Sequence, residues 1–452
     1  MLIKDNKYTV EIEDLGHSGE GVAKIDGFTI FVAQGVPGDI VEIKITLLKK
    51  NYALGKIIKI IKASDSRVKP LCPLANTCGG CQVMHIDYKH QLKMKEKRVK
   101  DTLERIGKIN TELLPIIGME NPYEYRNKAQ MPVGVLDGKA ILGFFKKGTH
   151  DIVDTDYCYI QAPINSEIIK LVKQYIESYK ISVYDEKTGK GLLRHLVTKV
   201  AFKTGEIMVV LVTKSKKLAH TEQLVEMLLR EVKGIKSIVQ NINEKNTNVI
   251  MGDENIVLYG ENKIVDYIGN LKFNISAQSF FQVNPVQTEI LYKKALEYAE
   301  LKGEERVIDI YCGIGTISLF LAQKAKKVVG VEIVESAIKD ARENARINNI
   351  NNAEFYTGRA EEVIPKLYEN GFYAHVVVVD PPRKGCDEKV LETIVKMKPR
   401  RVVYVSCNPA TLGRDLAYLE ERGYKTVKVQ PVDMFPHSAH VECIALLQRT
   451  NM

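Results

Sequence analysis

Over the first 63 positions, apolar and polar residues alternate in short runs: Tyr8–Ile12, Gly27–Val32, Ile40–Leu48 and Ala53–Ile61. Gly16-His17-Ser18-Gly19 and Pro37-Gly38-Asp39 interrupt them. Period-two runs broken by glycine turns predict a small β-barrel, a shape that commonly binds oligonucleotides on one face. The period changes near Lys89–Lys100, where Leu92, Val99, Leu103 and Ile106 fall on one side of a helix with a basic opposite face. From about 122 to 275, strand runs Ala140–Phe145, Val197–Phe202 and Ile207–Val212 accompany one amphipathic helix near Thr221–Val232, which predicts an α+β unit. From about 280 the apolar runs Val307–Tyr311, Lys327–Val331, Val376–Val379, Arg401–Val405 and Val441–Leu447 alternate with helical segments. That alternation predicts an α/β unit, a mostly parallel sheet covered on both faces. Glu442 opens its run rather than closing it, so the last strand is expected to be antiparallel.

Composition narrows the class. The 452 residues are 45% hydrophobic and 27% charged, enough for two to four domains with their own cores. A net charge of +9 favours a polyanionic partner. No apolar run is long enough to cross a bilayer, so no membrane partner is expected. The start, MLIKDNKYTV, lacks the apolar core of a secretory signal, which predicts a cytoplasmic protein. In that compartment the eight cysteines are thiols or ligands rather than disulfides. Cys72, Cys78, Cys81 and the remote Cys158 supply four soft donors; their spacing suits zinc and a 4Fe-4S cluster equally.

Candidate chemistry gathers at the strand ends. After Val307–Ile310 come Tyr311-Cys312-Gly313-Ile314-Gly315, and Glu332 closes the next strand. Gly313 and Gly315 let the backbone approach a ligand, and Glu332 can accept two ribose hydroxyls. No third glycine completes a dinucleotide fingerprint and no phosphate-loop lysine follows, which favours S-adenosylmethionine. Further on stand Asp380-Pro381-Pro382-Arg383-Lys384-Gly385, Ser406-Cys407-Asn408-Pro409 and His440-Val441-Glu442. A strand-end cysteine more often packs than reacts, the reading kept for Cys312, Cys386 and Cys443. Pairing with Glu442 and Asp380 points Cys407 the other way.

These motifs, with Gln278-Ser279-Phe280-Phe281-Gln282-Val283-Asn284 and the cysteine set, resemble the RNA uracil-C5 methyltransferases over nearly the whole chain. The chain is most similar to the bacterial 23S ribosomal RNA branch, since related transfer RNA enzymes typically lack the N-terminal TRAM barrel and the four cysteines. The resemblance implies a Rossmann-like class I methyltransferase domain (90–121 and 280–452). It also implies a TRAM/OB-like barrel (1–63) and a central α+β domain carrying an iron–sulfur cluster (64–89 and 122–279). It makes Cys407 the nucleophile and Glu442 the base, with Gln282, Tyr311, Glu332 and Asp380 around S-adenosylmethionine. Cys72, Cys78, Cys81 and Cys158 become 4Fe-4S ligands, with zinc as the alternative. The expected substrate is a flipped-out uridine of 23S rRNA, and the enzyme is expected to be a monomer. Phe280, Phe281 and Phe435 are stacking candidates. Arg359 stands where many methyltransferases place an acidic adenine contact, with Glu361 the nearest carboxylate. The same reaction on tRNA is the alternative. Cytosine methylation is less expected, because those enzymes use two cysteines in other motifs. A non-catalytic RNA-binding assembly factor with a redox-sensitive cluster is the rival of another class, and it would need neither Cys407 nor Glu442.

Overall fold

The computed structural model describes residues 2–450. Strands Lys7–Glu11, Asp14–Leu15, Gly21–Ile25, Phe28–Ala33, Ile40–Leu48 and Ala53–Lys62 form one six-stranded sheet. It curls because the first strand and the residues just after it take different partners: Val10 pairs with Val41, while Glu13 N donates to Val22 O at 2.8 Å. Alternate residues Ile30, Val32, Val41, Ile43 and Ile45 fill its interior. The pattern of hydrophobic positions had missed Gly21–Ile25, whose GVAKI carries too few large apolar side chains to stand out.

The central unit is a seven-stranded sheet in which Leu193–Val200, Ile207–Thr213 and Ile235–Ile242 lie side by side among the inner strands. Two helices cover one face, Asn165–Ser178 as well as the expected Thr221–Glu231. Ile207, Val209 and Leu211 point to those helices, and Met208, Val210 and Val212 point the opposite way, into a core shared with Leu291, Tyr292 and Val307. An unbroken apolar run is what a strand covered on both faces requires. The hairpin Lys263–Ile268 with Leu271–Ser276 completes the shared core.

The third sheet runs, from one edge, Ala353–Thr357, Lys327–Glu332, Arg306–Ile310, Val376–Val379, Arg401–Ser406, Glu442–Arg449, Tyr424–Val432 and Glu112–Leu113. The first five are parallel, and Glu442–Arg449 is antiparallel to both its neighbours. The basic segment is a helix over Tyr88–Thr102 followed by a π-turn at Leu103–Gly107. Its inner face differs from the expected one. Ile106 is exposed, and Gln91, Lys95 and Val99 are buried, with Lys95 Nζ 2.6 Å from Asp433 Oδ1. A buried ammonium needs such a partner.

Candidate active site

Arg306–Ile310 leads outward to two further strands, and the chain then returns on its other side as Val376–Val379. The strand order therefore reverses between these two, the place where open α/β sheets bind ligands beyond their carboxyl ends. A cavity of ≈ 1020 Å³ opens there.

Cys407 reaches it through a strand-to-helix turn. Asn408 N donates to Ser406 Oγ at 3.1 Å, and Asn408 Oδ1 caps helix Pro409–Glu420 by accepting from Ala410 N. Asn408 Nδ2 donates to Arg383 O at 3.0 Å, which fastens the turn to the Asp380–Arg383 segment. Pro409 fills the first helical position, where an N–H would go unused. Across the antiparallel ladder Ser406 faces Cys443, so the next pair outward is Cys407 and Glu442. Both line the cavity with Asp380, Arg383 and His440, whereas Cys443 is buried in the core behind.

Burial pushes the Cys407 thiol up to about 11, with the carboxyls of Glu442 and Asp380 adding to the rise and Arg383 opposing it. Glu442, 5% exposed, is raised well above the carboxylate range by burial and then by Asp380, again against Arg383. Burial raises Asp380 to about 6. His440 lines the cavity and is exposed. Desolvation, with the charges of Arg383, Arg98, Lys95 and Arg126, holds it down at about 4, so its ring is neutral. Around the thiol, two carboxyls face one guanidinium, a balance suited to a cationic ligand.

Four of the expected cofactor residues, Gln282, Tyr311, Gly313 and Glu332, share this cavity with Asp380. Glu332 Oε2 accepts from Gly313 N at 3.2 Å and Oε1 from Val334 N at 2.9 Å, so the carboxylate is already aimed across the glycine turn. Ile314, Ile333, Val334 and Ala337 give an apolar wall beside it, and Arg359 and Glu361 stand at the far end. An acid at a strand end, an apolar slot and the carboxyls of Asp380 and Glu442 in the same cavity fit S-adenosylmethionine. Gly315 is placed elsewhere. It does not line the cavity; at φ +81°, an added Cβ would lie 3.1 Å from the Phe355 ring and 3.2 Å from Ala341. Close packing of the following helix is what requires glycine there.

The three aromatic candidates separate. Phe281 is core, Phe280 is 63% exposed at the cavity wall, and Phe435 lies edge-on to His440 with ring centroids 6.2 Å apart. Arg383 and His440 were visible only as flanks of stronger motifs; their proximity to Cys407 follows from the loop geometry.

Cys72, Cys81 and Cys158 pack together against Met84, Tyr125 and Ile160. Burial raises the thiols of Cys78 and Cys158, the latter to about 11, and the neighbouring sulfurs raise them further. Three desolvated thiols, Cys78, Cys81 and Cys158, with Cys72 near each of them, are donors of the kind that suits a soft metal centre. Among the described residues, however, no three Cys, His, Asp or Glu side chains close to the spacing that would enclose a metal ion.

Comparison with known proteins gives the following. The family model described as tRNA (Uracil-5-)-methyltransferase matches residues 87–450, and the TRAM domain model matches residues 6–58. An uncharacterized RNA methyltransferase of Clostridium tetani is 55% identical over 444 residues, covering 98% of this chain and 96% of its own. Another from Bacillus cereus is 54% identical over 447 residues, covering 99% and 97%. Among solved structures, the Pyrococcus abyssi tRNA (uracil-54, C5)-methyltransferase in complex with S-adenosyl-L-homocysteine superposes with a TM-score of 0.80 at 29% identity, covering 97% of this chain and all of that one.

Proposed function

The chain belongs to the tRNA (uracil-5-)-methyltransferase family and is an RNA uracil-5-methyltransferase with a TRAM domain; from that premise we propose that it methylates C5 of uridine in 23S ribosomal RNA. The observation that carries the chemistry is the meeting of Cys407, Glu442 and Asp380 in one cavity beside the glycine turn and Glu332.

The roles follow from what uracil lacks. Its C5 is a weak nucleophile, and Cys407 corrects this by bonding to C6 as the thiolate, which moves the electron pair toward C5 and O4. S-adenosylmethionine supplies the methyl group as an electrophilic carbon on a sulfonium. Glu442 then takes the proton left on methylated C5, the ring double bond re-forms, and the C6–S bond breaks to return Cys407. Asp380, Gln282, Tyr311 and Glu332 hold the cofactor's polar ends. Phe280, the exposed ring at the cavity wall, stacks on RNA brought to the site.

We divide the chain as 1–63, 64–89 with 122–279, and 90–121 with 280–452. Two contacts support giving 90–121 to the catalytic unit: Glu112–Leu113 pairs with Lys428–Val429, and the π-turn at Leu103–Gly107 packs on helix Pro409–Glu420. The four thiols are assigned to a 4Fe-4S cluster, whose ligand sulfurs stand farther apart than those around one zinc ion. Iron and sulfide analysis of anaerobically purified protein checks this, and zinc alone would overturn it.

The cysteine set favours ribosomal RNA, whereas the barrel does not decide between the two. A second reading, tRNA, is favoured by the Pyrococcus abyssi enzyme: a match over 97% of this chain leaves no room to omit the barrel, so a barrel also accompanies a tRNA enzyme. Labelled methyl transfer to unmodified 23S rRNA and to unmodified tRNA transcripts separates the two. Label confined to tRNA would overturn the ribosomal assignment.

The free-protein thiol and Glu442 both sit above their ordinary ranges, and both act deprotonated. Raising the pH therefore increases the active fraction of each. Methyl transfer is irreversible and precedes the step that uses Glu442, so kcat/KM reports the thiolate alone and should climb about tenfold per unit between about pH 6 and 8. A flat profile would count against the thiolate as attacking species.

A further inference from the structure

The segment from Asp433 to His440 leads into Glu442 without helix or strand, yet most of it is buried. Side chains from elsewhere in the chain hold its carbonyls: Gln287 on Asp433 O at 3.1 Å, Asn284 on Met434 O, Lys95 on Phe435 O and Tyr125 on Pro436 O, each of these three at 3.0 Å. Its Ala439 peptide is gripped on both sides. Arg98 Nη1 donates to Ala439 O at 2.7 Å and to His17 O of the barrel at 3.0 Å. Ala439 N donates to Gln82 Oε1 at 3.3 Å, and Gln82 Nε2 donates to Gly79 O in the cysteine loop at 2.7 Å. Gly19 of the barrel, at φ +86°, lies flat on the same spot; a Cβ there would come 3.0 Å from Val83 and 3.1 Å from Gln82. Barrel, cysteine loop and basic helix thus converge on one peptide, three residues before Glu442.

We propose that this junction sets the position of Glu442, with Arg98 and Gln82 as positioning residues that make proton removal depend on the docking of the barrel and the cysteine loop. Neither side chain lines the active-site cavity, so both act through Ala439. The inference rests on Glu442 being the base. Misplacing a reacting group by about 1 Å costs on the order of 100-fold, so the sensitive step is the one that needs this carboxylate.

The test is single-turnover methylation at saturating RNA, with released product and protein–RNA adduct separated on a denaturing gel. Arg98→Met should transfer methyl in the first turnover near the parent rate but release product about 10- to 100-fold more slowly, accumulating adduct. Arg98→Lys, whose ammonium can still donate to both carbonyls, should recover most of the release rate. Gln82→Met and Gly19→Ala reach the junction from its other sides and should shift the partition the same way, which keeps the test decisive if Arg98→Met fails to fold. Glu442→Gln is run alongside. If it accumulates adduct while the junction variants partition like the parent, the junction proposal falls and the base assignment stands. If Glu442→Gln itself forms no adduct, the base assignment falls and takes the junction with it. Parallel losses of methyl transfer and release, with the partition unchanged, would mark Arg98 as merely structural and overturn the proposal.

Discussion

Cys407→Ala abolishes methylation while the protein stays folded. The thiol stands past the last residue of its strand and faces a cavity rather than the core, so its removal leaves no packed void. The turn around it is built by Ser406, Asn408 and Arg383 and does not use the sulfur. Chemically nothing replaces it: Cys386 and Cys443 are buried outside the cavity, and Cys312, which reaches its wall in the glycine turn beside Glu332, is held as the thiol by burial and by the carboxyls of Asp309 and Glu332. Activity should fall by more than about 10⁴-fold, as loss of a covalent nucleophile does elsewhere, with a thermal transition within a few degrees of the parent. Methyl transfer to RNA at a tenth of the parent rate would remove Cys407 from the mechanism.

Glu442→Gln separates the reaction into halves. The amide keeps the shape of the side chain at the start of its strand but cannot take a proton, so C6 attack and methylation proceed and elimination stalls. Release should slow by at least about 100-fold, the usual contribution of a positioned base. A stable protein–RNA band that survives denaturation and carries methyl label is the expected record. The substitution also removes a carboxyl held far above its ordinary range by burial, and with it one cause of the raised Cys407 thiol. The first half should therefore not slow. Ordinary multiple turnover without a retained band would assign proton removal to another group, with Asp380 the nearest carboxyl.

Five strands of the catalytic sheet were legible because each is a dominantly apolar run, and such runs mark strands covered on both faces. Ala353–Thr357 and Tyr424–Val432 were not, since one lies at an edge and the other mixes lysine and glutamine into its run. The antiparallel course of Glu442–Arg449 was readable from where the acid fell in its run. Gly315 looked like a ligand contact by spacing, but spacing cannot tell a glycine that admits a ligand from one that admits a neighbouring helix. Lys95 and Arg98 read as solvent-facing charge for a similar reason. Their partners Asp433 and Ala439 lie more than 300 positions away, and only the folded chain brings them together.

The two-sided covering of the middle sheet limits how this enzyme can be dissected. Cut at about residue 280, the N-terminal fragment would keep the hairpin Lys263–Ser276 but lose Leu291, Tyr292 and Val307, baring part of the apolar face formed by Val197, Met208, Val210 and Val212. Such a fragment would be expected to precipitate on expression rather than serve as an isolated RNA-binding module. Trimming from the other end is gentler, because the barrel closes its own interior and leaves no comparable scar.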